Sequence, residues 1–342
     1  MATRKPSRKK AKRPSNSKPR SAPAKGSSRA APARKAARRA APAIVPAASR
    51  KAARPAARAS APAATAALHA ARVVTLFDVQ SGDPESQPDN PQYAKRFLAE
   101  GDSWFSDNAM PASANLLQQI RLPQSAIVLT LAQPGDTIRH MGAIAHNPLL
   151  ARYLADRNFA SNWDAILLSG GGNDLIDAVG RIIVAGTGNA PAAWIDAAAL
   201  AETLDTIVDG YATVVATRDA PGSVSSGKPI VVHTYDYPTP NNAPAQFLGV
   251  PAVGPWFWRR FEDLRLADQR LRAAITDHVL DRLAETLLGL ASRFPHFQVV
   301  NTRRTLVRAA PGATGNSNDW LNEIHPNSGG YRKIADRIGR VI

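Results

Sequence analysis

The 342 residues contain no cysteine, which excludes a disulfide scaffold, a thiolate metal site and a cysteine nucleophile. Aromatic residues are scarce, at 6%. No apolar run reaches the length of about 18 residues that a membrane-spanning helix needs. Near the start, the best apolar run is 41–48, which Pro42 and Pro46 interrupt. That is too short for the hydrophobic region of a secretory signal, so export by that route is not expected and a cytoplasmic location is. An Arg-rich, acid-free start would suit an organelle transit peptide, but frequent Lys-Pro and Ala-Pro steps oppose the amphipathic helix this requires. Acidic residues show the most uneven absence: none occurs before Asp78.

The formal net charge of +16 therefore hides a division. Twenty of the 43 Lys and Arg residues lie between Arg4 and Arg72, leaving 23 basic against all 27 acidic residues in the remainder. A cationic arm precedes a mildly acidic globular part. Residues 1–68 consist almost wholly of Ala, Pro, Lys, Arg and Ser, with Ile44, Val45 and Leu68 as the only branched aliphatics. Such a stretch cannot bury enough apolar surface to offset the entropy of ordering it, so disorder is expected. Its composition resembles the tails of linker histones and bacterial histone-like proteins. That resemblance implies sequence-independent contact with nucleic acid or another polyanion, weakening as salt rises. No aromatic residue is interleaved to stack on bases; a solubilising extension is the plainer alternative. The expected organisation is a tail over 1–68, a linker with a helix fragment over 69–94, and one domain over 95–342.

From Lys95 the pattern changes. Short apolar runs at 97–99, 127–131, 165–168, 230–232 and 297–300 alternate with helical stretches at 116–120, 149–154, 175–184, 193–216 and 264–290. Strands separated by helices predict a five-stranded parallel sheet covered on both faces, an α/β fold of three layers. The largest insertion is 238–262. In such a sheet ligands bind beyond the carboxyl ends of the strands, and there the unusual residues fall. Gly101, Asp102 and Ser103 follow the first run; Gly135 and Asp136 follow the second; Gly171, Gly172, Asn173 and Asp174 follow the third. His233 to Tyr237 follow the fourth, and Asp319, Trp320, Asn322, Glu323, His325 and Pro326 lie beyond the fifth.

Those blocks, Gly-Asp-Ser at 101–103, the isolated Gly135, Gly-Gly-Asn-Asp at 171–174 and His-Pro at 325–326, resemble the SGNH, or GDSL-type, hydrolase superfamily of esterases and lipases. They stand in that family's order and span most of the chain from about 95 onward. The resemblance implies a flavodoxin-like domain and hydrolysis of a carboxylic ester through an acyl-Ser103 intermediate, without a cofactor. A serine hydroxyl is a weak nucleophile unless a base removes its proton during attack. His325 is the candidate base, and its ordinary pKa suits the task. The oxyanion then needs prearranged donors. The resemblance assigns these to the backbone N–H groups of Ser103 and Gly135 and to the side-chain amide of Asn173.

One departure stands out. Three residues before the histidine the family has Asp, and this chain has Asn322. Asn322 as an uncharged orienting group, the adjacent Glu323 and the more distant Asp319 are three open candidates for support of His325. Asp102 and Asp174 are expected to hold loop N–H groups, and His233 either touches substrate or makes a structural hydrogen bond. Trp256, Phe257 and Trp258 would form a lid, an acyl pocket or core. His140, His146, His278 and His296 show no spacing for a metal. The segment 222–228 imitates a phosphate loop but has Pro229 where Ser or Thr would bind magnesium, and Gly186 and Gly188 lack the third glycine of a dinucleotide site. With His325 as base, turnover is expected to be lost as pH drops through the ordinary histidine range, pH 8 to 5. The rival reading is a nucleic-acid-binding or tethering protein whose hydrolase-like domain is non-catalytic.

Overall fold

The computed structural model describes residues 67–106, 115–143, 147–247 and 250–342. The disorder expected of the 1–68 arm falls almost entirely outside these residues, as does His146.

Ten strands and eight α-helices make up the described chain. The strands are β1 (His69–Ala70), β2 (Arg72–Val74), β3 (Lys95–Gly101), β4 (Arg121–Leu122), β5 (Ala126–Thr130), β6 (Ala165–Ser169), β7 (Ile230–His233), β8 (Ala245–Phe247), β9 (Val250–Val253) and β10 (Phe297–Val300). The helices are α1 (Leu76–Gln80), α2 (Ile138–Gly142), α3 (Pro148–Ala155), α4 (Gly172–Ile182), α5 (Ala197–Arg218), α6 (Phe257–Asp263), α7 (Gln269–Arg293) and α8 (Ser328–Ile338).

A six-stranded sheet in the order β10-β7-β6-β3-β5-β2 organises the fold, and every pairing in it is parallel. Strands β5 and β6 are buried along their whole length. Burial on both faces is what makes their sequences, Ala-Ile-Val-Leu-Thr and Ala-Ile-Leu-Leu-Ser, continuous rather than alternating. Taken without β2, the order is that of flavodoxin, 2-1-3-4-5. The expected three-layer α/β architecture is present, with one strand more than the five read from the sequence. The sixth is β2, and it comes from the stretch read as linker and helix fragment. Three residues are too few to set a period of their own, but Arg72, Val73 and Val74 pair in register with Ile127, Val128 and Leu129.

Helix starts are set by side-chain caps. Thr75 and Asp78 form a capping box at α1, and Asp196, Asp268 and Asn327 each accept backbone N–H groups at the starts of α5, α7 and α8. The stretch 264–290, read as one helix, is one helix that starts five residues later: α6 ends at Asp263, and α7 runs unbroken from Gln269 to Arg293 after the Asp268 cap. Helix α7 lays Leu271, Ile275, Val279, Leu283, Leu287 and Leu290 into the core. Burying each such side chain contributes about 1.5–3 kcal/mol.

Candidate active site

Strand order reverses where β3 lies between β5 and β6, the place where open α/β sheets bind ligands. Gly101 closes β3, and a Cβ there would come within 2.8 Å of the Ser169 Cβ on β6. Glycine therefore lets the two strands stay paired to their ends. The backbone then turns, with the Asp102 N–H on the Ser169 carbonyl at 3.1 Å, and presents Ser103.

Ser103 Oγ lies 2.7 Å from His325 Nε2, across 222 residues of sequence. The opposite ring nitrogen, Nδ1, is 3.0 Å from Asn322 Oδ1. That oxygen also accepts the backbone N–H groups of Ile324 at 3.1 Å and His325 at 2.9 Å. Three donors converge on one atom, so the amide oxygen must face them and Nδ1 must carry the proton. Nε2 is then the acceptor for the serine hydroxyl. The Asn322 Nδ2 is buried without a partner among the described residues.

Asn322 is thus the side chain on the histidine, and neither carboxylate reaches it. Glu323 turns the other way: its carboxylate accepts the N–H groups of Trp256, Phe257 and Trp258, capping the start of α6. Burial pushes that carboxyl up to about 8. Asp319 accepts the Val307 N–H at 2.6 Å and pairs with Lys333. Both acids are used by segments remote in sequence. His325 consequently faces no counter-charge from them, and burial lowers its pKa to about 4. Burial thus moves the expected loss of turnover on acidification below the ordinary histidine range of pH 5 to 8.

The oxyanion candidates gather nearby. Gly135 takes a left-handed φ of 80° on the loop after β5, a conformation that favours glycine. This loop is tied to the serine turn by the Gln133 N–H on the Gly101 carbonyl at 2.9 Å. Asn173 Nδ2 donates to the carbonyl of Asp136 at 2.9 Å, which aligns the amide and leaves its second N–H for another acceptor. Among the described residues, the backbone N–H groups of Ser103 and Gly135 have no intramolecular acceptor. Ser103 and Asn173 border one cleft that opens to solvent; Gly135 stands on the adjoining loop.

Beneath the nucleophile lies a buried network in which the expected structural roles of Asp102 and His233 are joined to Ser169 and Tyr235, which the sequence reading did not link to them. Asp102 accepts the hydroxyls of Ser169 at 2.8 Å and Tyr235 at 2.6 Å, and the N–H of Trp104 at 3.0 Å. His233 Nδ1 accepts the Tyr235 N–H, so Nε2 bears the proton and donates to Ser169 Oγ at 3.0 Å. His233 makes a structural hydrogen bond, and burial holds its pKa at about 3. Asp174 accepts the Ile138 N–H at the start of α2. Of the aromatic trio, Trp256 packs its ring edge-to-face on His325 at 5.3 Å, and Phe257 lines the cleft.

No family model and no curated protein matches the chain. Solved structures do. A carbohydrate esterase family 3 protein from Talaromyces cellulolyticus is 14% identical, covering 72% of this chain and 95% of its own, with a TM-score of 0.40. The acetylxylan esterase Axe2 from Geobacillus stearothermophilus is 15% identical over 72% of this chain and 94% of its own, with a TM-score of 0.35. An α/β hydrolase from the metagenome of Lake Arreo, Spain, is 15% identical over the same shares, with a TM-score of 0.32.

Proposed function

We propose that the protein is a serine hydrolase of carboxylic esters, and the observation that carries this is the 2.7 Å approach of Ser103 Oγ to His325 Nε2. As Oγ attacks the ester carbonyl, its proton passes to Nε2 and the carbonyl oxygen becomes an oxyanion. The N–H groups of Ser103 and Gly135 and the free amide N–H of Asn173 would receive that charge; one such donor is commonly worth about 10²–10³ in turnover. The tetrahedral centre collapses, the alcohol leaves with the proton from Nε2, and Ser103 keeps the acyl group. Water then enters by the same base and oxyanion donors, releasing the acid and restoring the hydroxyl. Each proton removed is returned, so the residues named suffice without a cofactor.

Asn322 acts through His325. Its oxygen selects the tautomer with the proton on Nδ1, leaving Nε2 free to accept. It supplies no negative charge to the imidazolium that forms, so the base is correctly aimed but weaker than one backed by a carboxylate. Activity on p-nitrophenyl esters tests the reading. Ser103→Ala is expected to remove at least about 10³ of turnover, with the melting temperature kept. Equal turnover by the variant and the parent chain would refute it.

A further inference from the structure

The cleft beside Ser103 also carries information about the substrate. Its wall includes Ser103 and Asn173 but neither His325 nor Gly135. The departing alcohol must take its proton from His325 Nε2, so it lies on the side of that ring, where Trp256 packs. The cleft is left for the other half of the ester, the acyl group.

The wall behind the nucleophile is apolar. Leu175 and Ile176 come from the first turns of α4, Leu280 from α7, Phe257 from α6, Pro238 from the loop after β7, and Ile324 from the turn before His325. Two carboxylates also border it, and both are engaged by protein donors. Asp102 holds two hydroxyls and one N–H, and Asp236 holds the N–H groups of Tyr237, Arg304, Thr305 and Leu306. Neither has an oxygen left idle to draw a hydroxyl or ammonium group on the acyl chain. Trp320 borders the cleft too, but its unpaired indole nitrogen is sealed from solvent.

We infer that the cleft is an acyl-chain pocket and that the protein acts on esters of unbranched aliphatic acids longer than acetate. This rests on the serine esterase reading above. The carbonyl sits at Ser103 and Asn173, and the chain runs inward along Ile176 and Leu280. Ile176 is the residue that sets chain length: it is only partly buried, where Leu280 and Phe257 are buried, so its side chain can change without opening the core.

The test is a series of p-nitrophenyl acetate, butyrate, hexanoate and octanoate at one pH, with the parent chain, Ile176→Trp and Ile176→Ala. Burying each further methylene is expected to raise kcat/KM about fourfold. The hexanoate-to-acetate ratio of the parent chain should then be on the order of 10². Ile176→Trp should cut that ratio at least tenfold, and Ile176→Ala should move the preferred length toward octanoate. Acetate as the best substrate, with the ratio untouched by both variants, overturns the pocket assignment and leaves the esterase reading standing. Failure of the parent chain to hydrolyse any of the four esters overturns both. Should Ile176→Trp not fold, the parent series and Ile176→Ala decide the matter alone.

Discussion

At the scale of single residues, the site is governed by one amide in place of a carboxylate. Asn322 gives His325 the same orienting acceptor that an aspartate would give, at 3.0 Å from Nδ1. What is missing is charge, and burial then moves the ring to about 4. A histidine depressed in this way is neutral, and able to act as base, at every pH above that value. The parent chain should show kcat/KM level from about pH 5 to 8 and falling only as pH approaches the depressed value. Asn322→Asp places an anion beside Nδ1 and favours the imidazolium, which raises the pKa of the ring, typically by about 1–3 units for such a neighbour. The acid limb of the profile should move upward with it, and turnover above the limb should rise. A profile identical in the two proteins would show that Asn322 only fills space.

At the scale of elements, the turn between β6 and α4 sets the position of the Asn173 amide, the proposed oxyanion donor. Gly171 takes φ of 99°, and a Cβ there would sit 3.2 Å from Leu283 Cδ1 on α7 and 3.4 Å from Ile207 Cγ2 on α5. The left-handed backbone alone costs a non-glycine residue about 1–2 kcal/mol. Gly171→Ala is expected to lower the melting temperature by several degrees and to reduce kcat/KM more than that stability loss accounts for, because Asn173 follows two residues later. A calorimetric scan with a kinetic assay below the transition separates the two effects. Unchanged kcat/KM would mean the turn does not position Asn173.

The same scale explains what could be read from the sequence. Strands β3, β5, β6 and β7 were legible because burial along most or all of their length demands apolar runs, and β10 because three of its four residues are apolar. Ser103, Gly135, Asn173 and His325 were legible because each sits in a short motif directly after such a run or in a fixed local turn. Strand β2 was hidden, since its pairing partner lies more than fifty residues away and its own three residues match any pattern. The start of α7 was available in principle through Asp268, whose side chain accepts the Arg270 and Leu271 N–H groups. The partner of His325 was not available. Asn322, Glu323 and Asp319 all precede His325 in one short segment, and what separates them is tertiary: α6 claims Glu323, and Lys333 and Val307 claim Asp319. The structural roles of Asp102 and His233 were legible but their partners Ser169 and Tyr235 were not, since those bonds join the ends of different strands.

At the scale of the whole chain, charge is distributed by segment. Nineteen basic residues precede residue 69 with no acid among them, whereas acids outnumber bases in the remainder. We propose that the arm holds polyanions and concentrates the hydrolase on them, without taking part in the chemistry. The full chain should bind duplex DNA with an affinity that falls steeply as salt rises, in proportion to the phosphates neutralised. Removal of residues 1–68 should abolish that binding and leave p-nitrophenyl ester turnover in solution within about twofold, because no residue assigned to the site lies there. Retained DNA binding after the deletion would place the contact on the globular part instead.

Each level depends on Ser103 being a nucleophile activated by His325. Covalent capture measures this directly: incubation with a fluorophosphonate, which is attacked by an activated serine oxygen and loses fluoride, followed by mass spectrometry of the peptide carrying residue 103. The account predicts one adduct per chain, located on Ser103, formed at least about tenfold more slowly by His325→Gln and not at all by Ser103→Ala. An unmodified Ser103 peptide under conditions that label a control esterase, or equal labelling with and without His325, would contradict it.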